Sequence, residues 1–105
     1  MNLPTRGEVW LADCGMVAKV RPVAVISIPF SDADRALILV VPHTTTVIGS
    51  EFEVQIPARW LQPGAFNIQA TFPLAPAKFI RKLGALDAGQ LGMIGAKLRY
   101  WEGLA

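Results

Sequence analysis

The alternation of apolar and polar residues near the N-terminus predicts a first β-strand. In the segment RGEVWLAD, the apolar residues Val9 and Leu11 fall on one face. Glu8 and Trp10 fall on the other face, which is the pattern of a strand with one face in a core and the other partly solvated. The short segment CGMVAK then predicts a loop.

Two further apolar segments predict a second and a third strand. The segment VRPVAVISI, residues 20–28, is rich in β-branched residues. Pro22 has no backbone donor, so this end of the strand must lie at an edge or a bulge of the sheet. After the polar turn PFSDAD, the third strand opens at Arg35 and contains the apolar run 37–41.

The middle of the chain predicts more antiparallel β-structure. EFEVQI shows the clearest alternation, with Phe52, Val54 and Ile56 on one face and polar residues on the other. PARWLQPG predicts a single helical turn that interrupts the strands. AFNIQATF and KFIRKL predict two more strand-like segments.

In the last twenty residues, the spacing between apolar residues changes from that of a strand to that of a helix, which predicts one α-helix. Apolar residues recur at spacings of three and four, which places one stripe along a helix: Leu91, Ile94, Leu98 and Trp101. Asp87 and Gln90 form a capping-box pattern at the start, and Gly103 marks the end. About six short strands and one helix predict a single mainly β (α+β) domain over residues 1–105, built as a small barrel or a half-open sheet.

Composition restricts the class of protein. Apolar residues make up 52% of the 105 residues, and the longest uncharged apolar run is far shorter than the roughly 20 residues of a membrane helix. The N-terminal segment MNLPTRGEVW is interrupted by polar residues where a secretory signal has an apolar run. A single cysteine, Cys14, suits a reducing compartment. We therefore expect a cytoplasmic protein with no membrane partner.

The supply of metal ligands is small. The chain has one histidine and one cysteine, and its acidic residues are scattered, so we expect no metal site and no cofactor. Net charge is +2, with six Lys/Arg against two Asp/Glu in residues 57–105. This basic half could face phosphates, an acidic partner or only solvent.

A polar cluster follows the third strand and predicts a site. His43 and the threonines 44–46 come directly after the apolar run. If the second and third strands pair through the turn between them, Arg21 and Thr44 fall at the same edge of the sheet. An arginine fork beside hydroxyl donors suits a phosphate. Taken singly, each of these residues also has a structural explanation, such as an ion pair or a hydrogen-bonded rim position.

Such a site has the parts for metal-free cleavage of RNA by its own 2'-OH. The reaction requires stabilisation of the phosphorane charge, a proton acceptor and a donor to the leaving 5' oxygen. Gln69 could reach a base edge or a backbone group at the rim. The three tryptophans could stack on bases, but large aromatic side chains more often anchor cores, so we leave them out of the site.

Four blocks of the sequence resemble the MazF/PemK toxins of bacterial toxin–antitoxin pairs. The blocks are RGEVWLAD, VRPVAVIS, LVVPHTTT and IRKLGALDAGQL, in the order of the family, and they cover nearly the whole chain. The resemblance implies an SH3-like β-barrel of six or seven antiparallel strands with a C-terminal helix, usually a homodimer. It also implies a metal-independent, sequence-selective endoribonuclease that cuts single-stranded RNA, commonly mRNA, and leaves a 2',3'-cyclic phosphate and a 5'-hydroxyl.

The resemblance also implies site residues and a protein partner. The family's catalytic arginine, in an Arg-Pro-Val motif, falls on Arg21, and its catalytic threonine falls on Thr44. A glutamine of a later strand aligns with Gln69, although Ile68 stands where an acid is usual. The predicted RNA-binding residues are Lys19, His43, Thr45 and Gln69. Toxins of this kind are held inactive by a cognate antitoxin with an acidic, disordered tail.

Two other classes of protein remain open from the sequence. A barrel of this kind poisons a topoisomerase in the CcdB-like relatives of the family, without touching RNA. A catalytically silent SH3-like binding module is the other alternative.

Overall fold

Seven short strands and a C-terminal helix make up the described chain. The computed structural model describes residues 2–15 and 19–104. Two short 3₁₀ turns, Ile68–Ala70 and Pro76–Lys78, lie between the later strands. The elements are β1 (Glu8–Asp13), β2 (Val20–Val25), β3 (Ile38–Thr44), β4 (Glu53–Val54), β5 (Ala65–Asn67), β6 (Phe72–Leu74), β7 (Phe79–Ala85) and α1 (Ala88–Trp101).

The strands form one antiparallel sheet in the order β4-β5-β3-β2-β1-β7, and β6 also pairs with β3. The predicted mainly β (α+β) fold is therefore confirmed. Among the described residues, the two end strands of this path, β4 and β7, do not pair with each other. The predicted SH3-like barrel is therefore a curved, barrel-like sheet that is not closed.

The sheet buries residues on both faces because side chains alternate along each strand. One core contains Val9, Ala24 and Val41, with Phe66, and the helix adds Ile94, which is fully buried. The neighbouring strand positions supply the second core, on the other face of β1, β2 and β3. Its buried members are Trp10, Ala12, Val23, Val25, Ile38, Val40, Leu74 and Phe79.

The C-terminal helix begins and ends as the sequence predicts. The Asp87 carboxylate accepts the N–H of Gln90 at 2.8 Å, and the Gln90 side chain accepts the N–H of Asp87 at 3.0 Å. Gly103 adopts a φ of 79°, a conformation in which glycine avoids the strain of a side chain. The prediction that Trp101 completes the buried stripe is wrong. Its side chain is 44% exposed, because the helix ends there, beyond Leu98, the last helix residue packed on the core.

The predicted strand at 51–56 forms only the two-residue β4. The Glu53 carboxylate accepts the N–H groups of Ile48 at 3.0 Å and Ser50 at 2.8 Å, so the backbone before β4 is satisfied locally rather than by a sheet partner. Val54 and Ile56 are nevertheless buried as the alternation predicts. The predicted helical turn in PARWLQPG is a single hydrogen-bonded turn, Leu61 N–H to the carbonyl of Ala58 at 3.1 Å.

Two further segments do not match the predicted elements residue for residue. The run AFNIQATF was predicted as one strand, but the Asn67 side chain caps the Ile68–Ala70 turn and separates β5 from β6. The predicted loop CGMVAK lies partly outside the described residues. No helix in the described part of the chain has the length and apolar character of a membrane span.

Candidate active site

The pairing of β2 with β3 brings Arg21 and Thr44 together. The ladder ends at the pair Val23–Pro42. Beyond that pair, two more residues along each strand lead to Arg21 and Thr44 at the end of the sheet. Both residues are half-buried, and they line one cavity of about 280 Å³. The structure therefore places the predicted guanidinium and hydroxyl at one edge of the sheet.

The Thr44 hydroxyl is held by the backbone of the following loop. Its Oγ1 accepts the N–H of Thr46 at 3.1 Å. The distance from Oγ1 to the Thr46 carbonyl is 3.5 Å, at the limit of a hydrogen bond. The hydroxyl oxygen is thus fixed, while its proton is held weakly and can be donated to a ligand in the cavity.

His43 forms part of the cavity wall but is 2% exposed. Its ring packs edge-on against Phe66, with centroids 5.0 Å apart. Burial lowers the pKa of His43, and the positive charge of Arg21 lowers it further, so the imidazole is neutral near neutral pH. Within the described residues, Nε2 of His43 is buried without a hydrogen-bond partner. The role of His43 as a contact to RNA stays a prediction.

Gly64 packs against the end of β3. A Cβ at Gly64 would lie 2.7 Å from Cε1 of His43 and even closer to the carbonyl oxygen of Thr44. The next residue, Ala65, is the β5 partner of Thr44. Only glycine therefore lets β5 begin this close to Thr44 without displacing it. The sequence interpretation missed this role, because it treated PARWLQPG only as a helical turn between strands.

The rest of the cavity comes from four residues that sequence reasoning did not include in the site. Leu11, Val20 and Pro22 form an apolar side, and the exposed side chain of Gln62 lies at the rim. A pairing argument could have found Leu11 and Pro22, which are Cα partners in the β1–β2 ladder. Nothing in the local sequence indicates Gln62, since its position depends on the long connection from β4 to β5.

A family model described as PemK-like, MazF-like toxin of type II toxin-antitoxin system matches residues 5–101. This span includes both strands that carry Arg21 and Thr44. The chain belongs to the PemK/MazF toxin family. No curated protein sequence shows a significant match to the chain.

Solved structures of toxins share the fold at low sequence identity. A MazE–MazF structure from Deinococcus radiodurans has a TM-score of 0.81 and 22% identity, with 99% of this chain and 100% of that chain covered. An endoribonuclease from a mycobacterial species, in complex with its cognate antitoxin, has a TM-score of 0.79 and 23% identity, over 100% and 98%. Mycobacterium tuberculosis toxin MazF-mt6 has a TM-score of 0.72 and 22% identity, over 93% and 98%. At this level of sequence identity, the structural similarity establishes the shared fold alone.

The other predicted RNA-binding residues of this PemK/MazF family member lie at different places. Thr45 is exposed and lines the cavity with Arg21 and Thr44. Lys19 is exposed and precedes Val20 of the cavity, with a left-handed φ of 57°. Gln69 is exposed on the 3₁₀ turn that follows β5 and does not line this cavity.

The remaining candidates for chemistry in this toxin-family chain are few. Across residues 2–15 and 19–104, no group of three or more His, Cys, Asp or Glu side chains is placed to hold a metal ion. Cys14 is half-buried against the second core. Burial raises the pKa of its thiol, which outweighs the opposing effect of Arg21, so the sulfur is a thiol near neutral pH. A half-buried thiol of this kind packs as a small apolar side chain.

Proposed function

We propose that this toxin is a sequence-selective endoribonuclease that cleaves single-stranded RNA, including mRNA, without a metal ion and in the cytoplasm. The observation that carries the proposal is the shared cavity of Arg21 and Thr44 at the end of β2 and β3. Membership of the PemK/MazF family and the endoribonuclease named among the structural neighbours support it.

The proposed reaction is an in-line transesterification. The ribose 2' oxygen forms a bond to phosphorus and gives up its proton, and the bond from phosphorus to the 5' oxygen breaks. The 5' oxygen takes up a proton. The products are a 2',3'-cyclic phosphate and a 5'-hydroxyl, and no redox step or co-reactant is required.

In this proposal Arg21 stabilises the charge that develops on the phosphorane. A guanidinium stays charged near neutral pH and presents several donors in a fixed fork, which matches two phosphate oxygens. A half-buried position strengthens this interaction compared with a fully solvated one. We therefore assign Arg21 as the main electrostatic catalyst.

Thr44 is the second proposed catalytic residue. Its Oγ1 is oriented by the N–H of Thr46, and its proton can be donated to a non-bridging phosphate oxygen. Because the hydroxyl is already oriented, little reorganisation is needed when the charge develops.

The proposed RNA contacts surround these two residues. Lys19 and Thr45 are exposed next to Arg21 and Thr44, where an ammonium and a hydroxyl can bind flanking phosphates. Gln69 is proposed to bind a more distant part of the strand, since it lies outside the cavity. For His43, burial restricts any contact with RNA to the ring edge that lines the cavity.

The test is cleavage of an unstructured RNA by purified protein in EDTA. Arg21→Ala and Thr44→Ala are each expected to lower the cleavage rate by roughly 10²–10³-fold, the usual effect of removing one electrostatic donor. Thr44→Ser retains the hydroxyl and should keep more activity than Thr44→Ala. Arg35→Ala is the matched control, because Arg35 is exposed beside the turn at the other end of β2 and β3.

Thermal unfolding must be measured on the same samples. Equal unfolding temperatures together with lost cleavage would assign a chemical role to Arg21 and Thr44. Full activity in either variant would remove that residue from the mechanism. Absence of cleavage by the unmodified protein, with damage to DNA in cells that express it, would favour a topoisomerase poison instead.

We further propose that the toxin acts as a homodimer and is held inactive by a cognate antitoxin. The neighbouring MazE–MazF structures support an antitoxin partner. Six Lys/Arg against two Asp/Glu in residues 57–105 would complement an acidic tail. Light scattering of the purified chain, and rescue of growth by co-expression of a small adjacent reading frame, test these two proposals.

A further inference from the structure

The cavity of Arg21 and Thr44 has an apolar wall that the proposed cleavage chemistry does not use. Leu11 and Pro22 lie side by side as Cα partners of β1 and β2. Val20 extends this wall, and its side chain is 52% exposed although it is apolar. An apolar wall that continues directly from a phosphate-binding group points to a ligand with both a charged and an apolar part.

Gln62 faces this cavity from a backbone position that is fixed on both sides. Leu61, the residue before it, is buried in the first core. Gly64, two residues later, packs on His43 and on the carbonyl of Thr44. The Gln62 amide is exposed at the rim and offers one acceptor and two donor hydrogens. It can therefore form paired hydrogen bonds with the edge of a planar group.

The size of the cavity selects a small planar ligand. Its volume of about 280 Å³ is just below the usual size of ligand pockets, so it suits one ring system rather than a folded strand. Single-stranded RNA is recognised by stacking of unpaired bases on side chains and by hydrogen bonds to their edges. In RNA, a base follows each phosphate at a short distance, so a phosphate at Arg21 brings a base to this wall.

We propose that this cavity binds one nucleobase next to the scissile phosphate. The wall of Leu11, Val20 and Pro22 packs on the face of the base, and Gln62 reads its edge. Gln62 is thus a specificity-determining residue, and the inference rests on the proposed function as an RNA-cleaving enzyme.

The test is cleavage of a single-stranded RNA library with randomised positions, followed by sequencing of the fragment ends. Gln62→Ala is expected to reduce the base preference at one position beside the cut by about 5-fold or more, the effect of losing a paired contact to a base edge. Preferences at other positions should not change. Gln62→Glu, which only accepts hydrogen bonds, should shift that position towards bases with an exocyclic amino group.

Two further variants separate edge reading from wall packing. Val20→Ala should raise KM for all four bases alike, because packing on a base face does not depend on its identity. Gln55→Ala is the matched control, since Gln55 is an exposed glutamine that lines other cavities. Its cleavage profile should equal that of the unmodified protein.

Fluorescence anisotropy with 2'-O-methyl RNA oligonucleotides, which cannot be cut by this reaction, distinguishes the two proposals. Binding without cleavage, with a base preference that Gln62→Ala relaxes, would support the base site and reject the proposed function. Cleavage with the same preference in all Gln62 variants would overturn the base site and leave the proposed function standing. If the protein neither binds nor cuts RNA, both are overturned.

Discussion

At the residue scale, Gly64 lies so close to the end of β3 that the site leaves no space for a side chain there. Gly64 lies against the carbonyl of Thr44 and the ring of His43, and that ring is packed between Gly64 and Phe66. The end of β3 is thereby held between β2 on one side and β5 on the other. The position of the Thr44 hydroxyl depends on this packing as much as on the hydrogen bond from Thr46.

Gly64→Ala is expected to destabilise the protein and to lower cleavage. The added Cβ must displace Thr44 or His43, and overpacking of this kind costs roughly 1–3 kcal/mol in the free energy of unfolding. Urea unfolding measures the first effect, and the cleavage rate measures the second. Gly92→Ala is the control, because a Cβ at Gly92 meets nothing within 4 Å and should stabilise the helix by up to about 1 kcal/mol.

An unchanged unfolding midpoint and cleavage rate for Gly64→Ala would show that the end of β3 yields easily. In that case the fixed geometry assigned to Thr44 would lose its support.

Side-chain alternation and local hydrogen bonds explain which site residues the sequence could predict. Arg21 and Thr44 follow from the pairing of two strands across one short connection, and this pairing can be counted along the chain. Gln62 and Gly64 lie in the connection between β4 and β5. Gly64 is placed by its packing against β3, which no local pattern indicates. Gln69 was predicted in a strand, but the Asn67 cap places it on a 3₁₀ turn.

At the scale of elements, the boundaries of the helix can be predicted from the sequence, whereas the length of β4 cannot. The helix boundaries depend on Asp87, Gln90 and Gly103, which act within a few residues and are therefore visible in the sequence. The length of β4 depends on Glu53, whose carboxylate binds the backbone of the preceding turn and ends the pairing early. Alternation predicted the burial of Val54 and Ile56 correctly, but burial does not determine the length of a hydrogen-bonded ladder.

One ionic contact joins the first strand to the last. The Glu8 carboxylate lies 3.0 Å from Nζ of Lys82, between β1 and β7. It also accepts the N–H of Thr5 at 2.8 Å and the indole N–H of Trp10 at 3.0 Å. Burial raises the pKa of Glu8, but these hydrogen bonds and the charge of Lys82 outweigh it and lower the pKa to about 2.

Glu8 should therefore contribute stability that acid removes. Its pKa falls from 4.5 to about 2 on folding, so the unfolded chain takes up this proton first as the pH falls. The contribution is complete above about pH 4.5 and is lost between about pH 4.5 and 2. The difference in unfolding temperature between the unmodified protein and Glu8→Gln should be larger near about pH 6 than near about pH 3.

The exposed Glu51 provides the matched control for this acid dependence. Glu51→Gln removes the same charge from a side chain for which the described residues show no hydrogen bond. A pH-independent difference for Glu8→Gln would mean that the contacts of Glu8 do not favour its charged form.

At the scale of the whole molecule, the two cores share their central strands. Residues of β1, β2 and β3 alternate between the core that holds the helix and the core that holds Trp10. If either core separated from these strands, solvent would reach the backbone that also supports the other core. Continuous pairing from β3 through β2 and β1 to β7 adds to this coupling.

The protein is therefore expected to unfold in one cooperative transition, and its tryptophans can report on each core separately. Trp10 lies in the second core, whereas Trp60 packs on the first core and against Gly84. One variant keeps Trp10 as the sole tryptophan, through Trp60→Phe and Trp101→Phe. A second keeps Trp60, through Trp10→Phe and Trp101→Phe. In each variant, the urea midpoint from fluorescence should equal the midpoint from far-UV circular dichroism, at every protein concentration.

The two midpoints must be compared within one variant, because each substitution also changes the overall stability. A fluorescence transition of Trp60 that precedes the loss of β-structure would show that the helix-bearing core separates first, and the three shared strands would then not couple the cores.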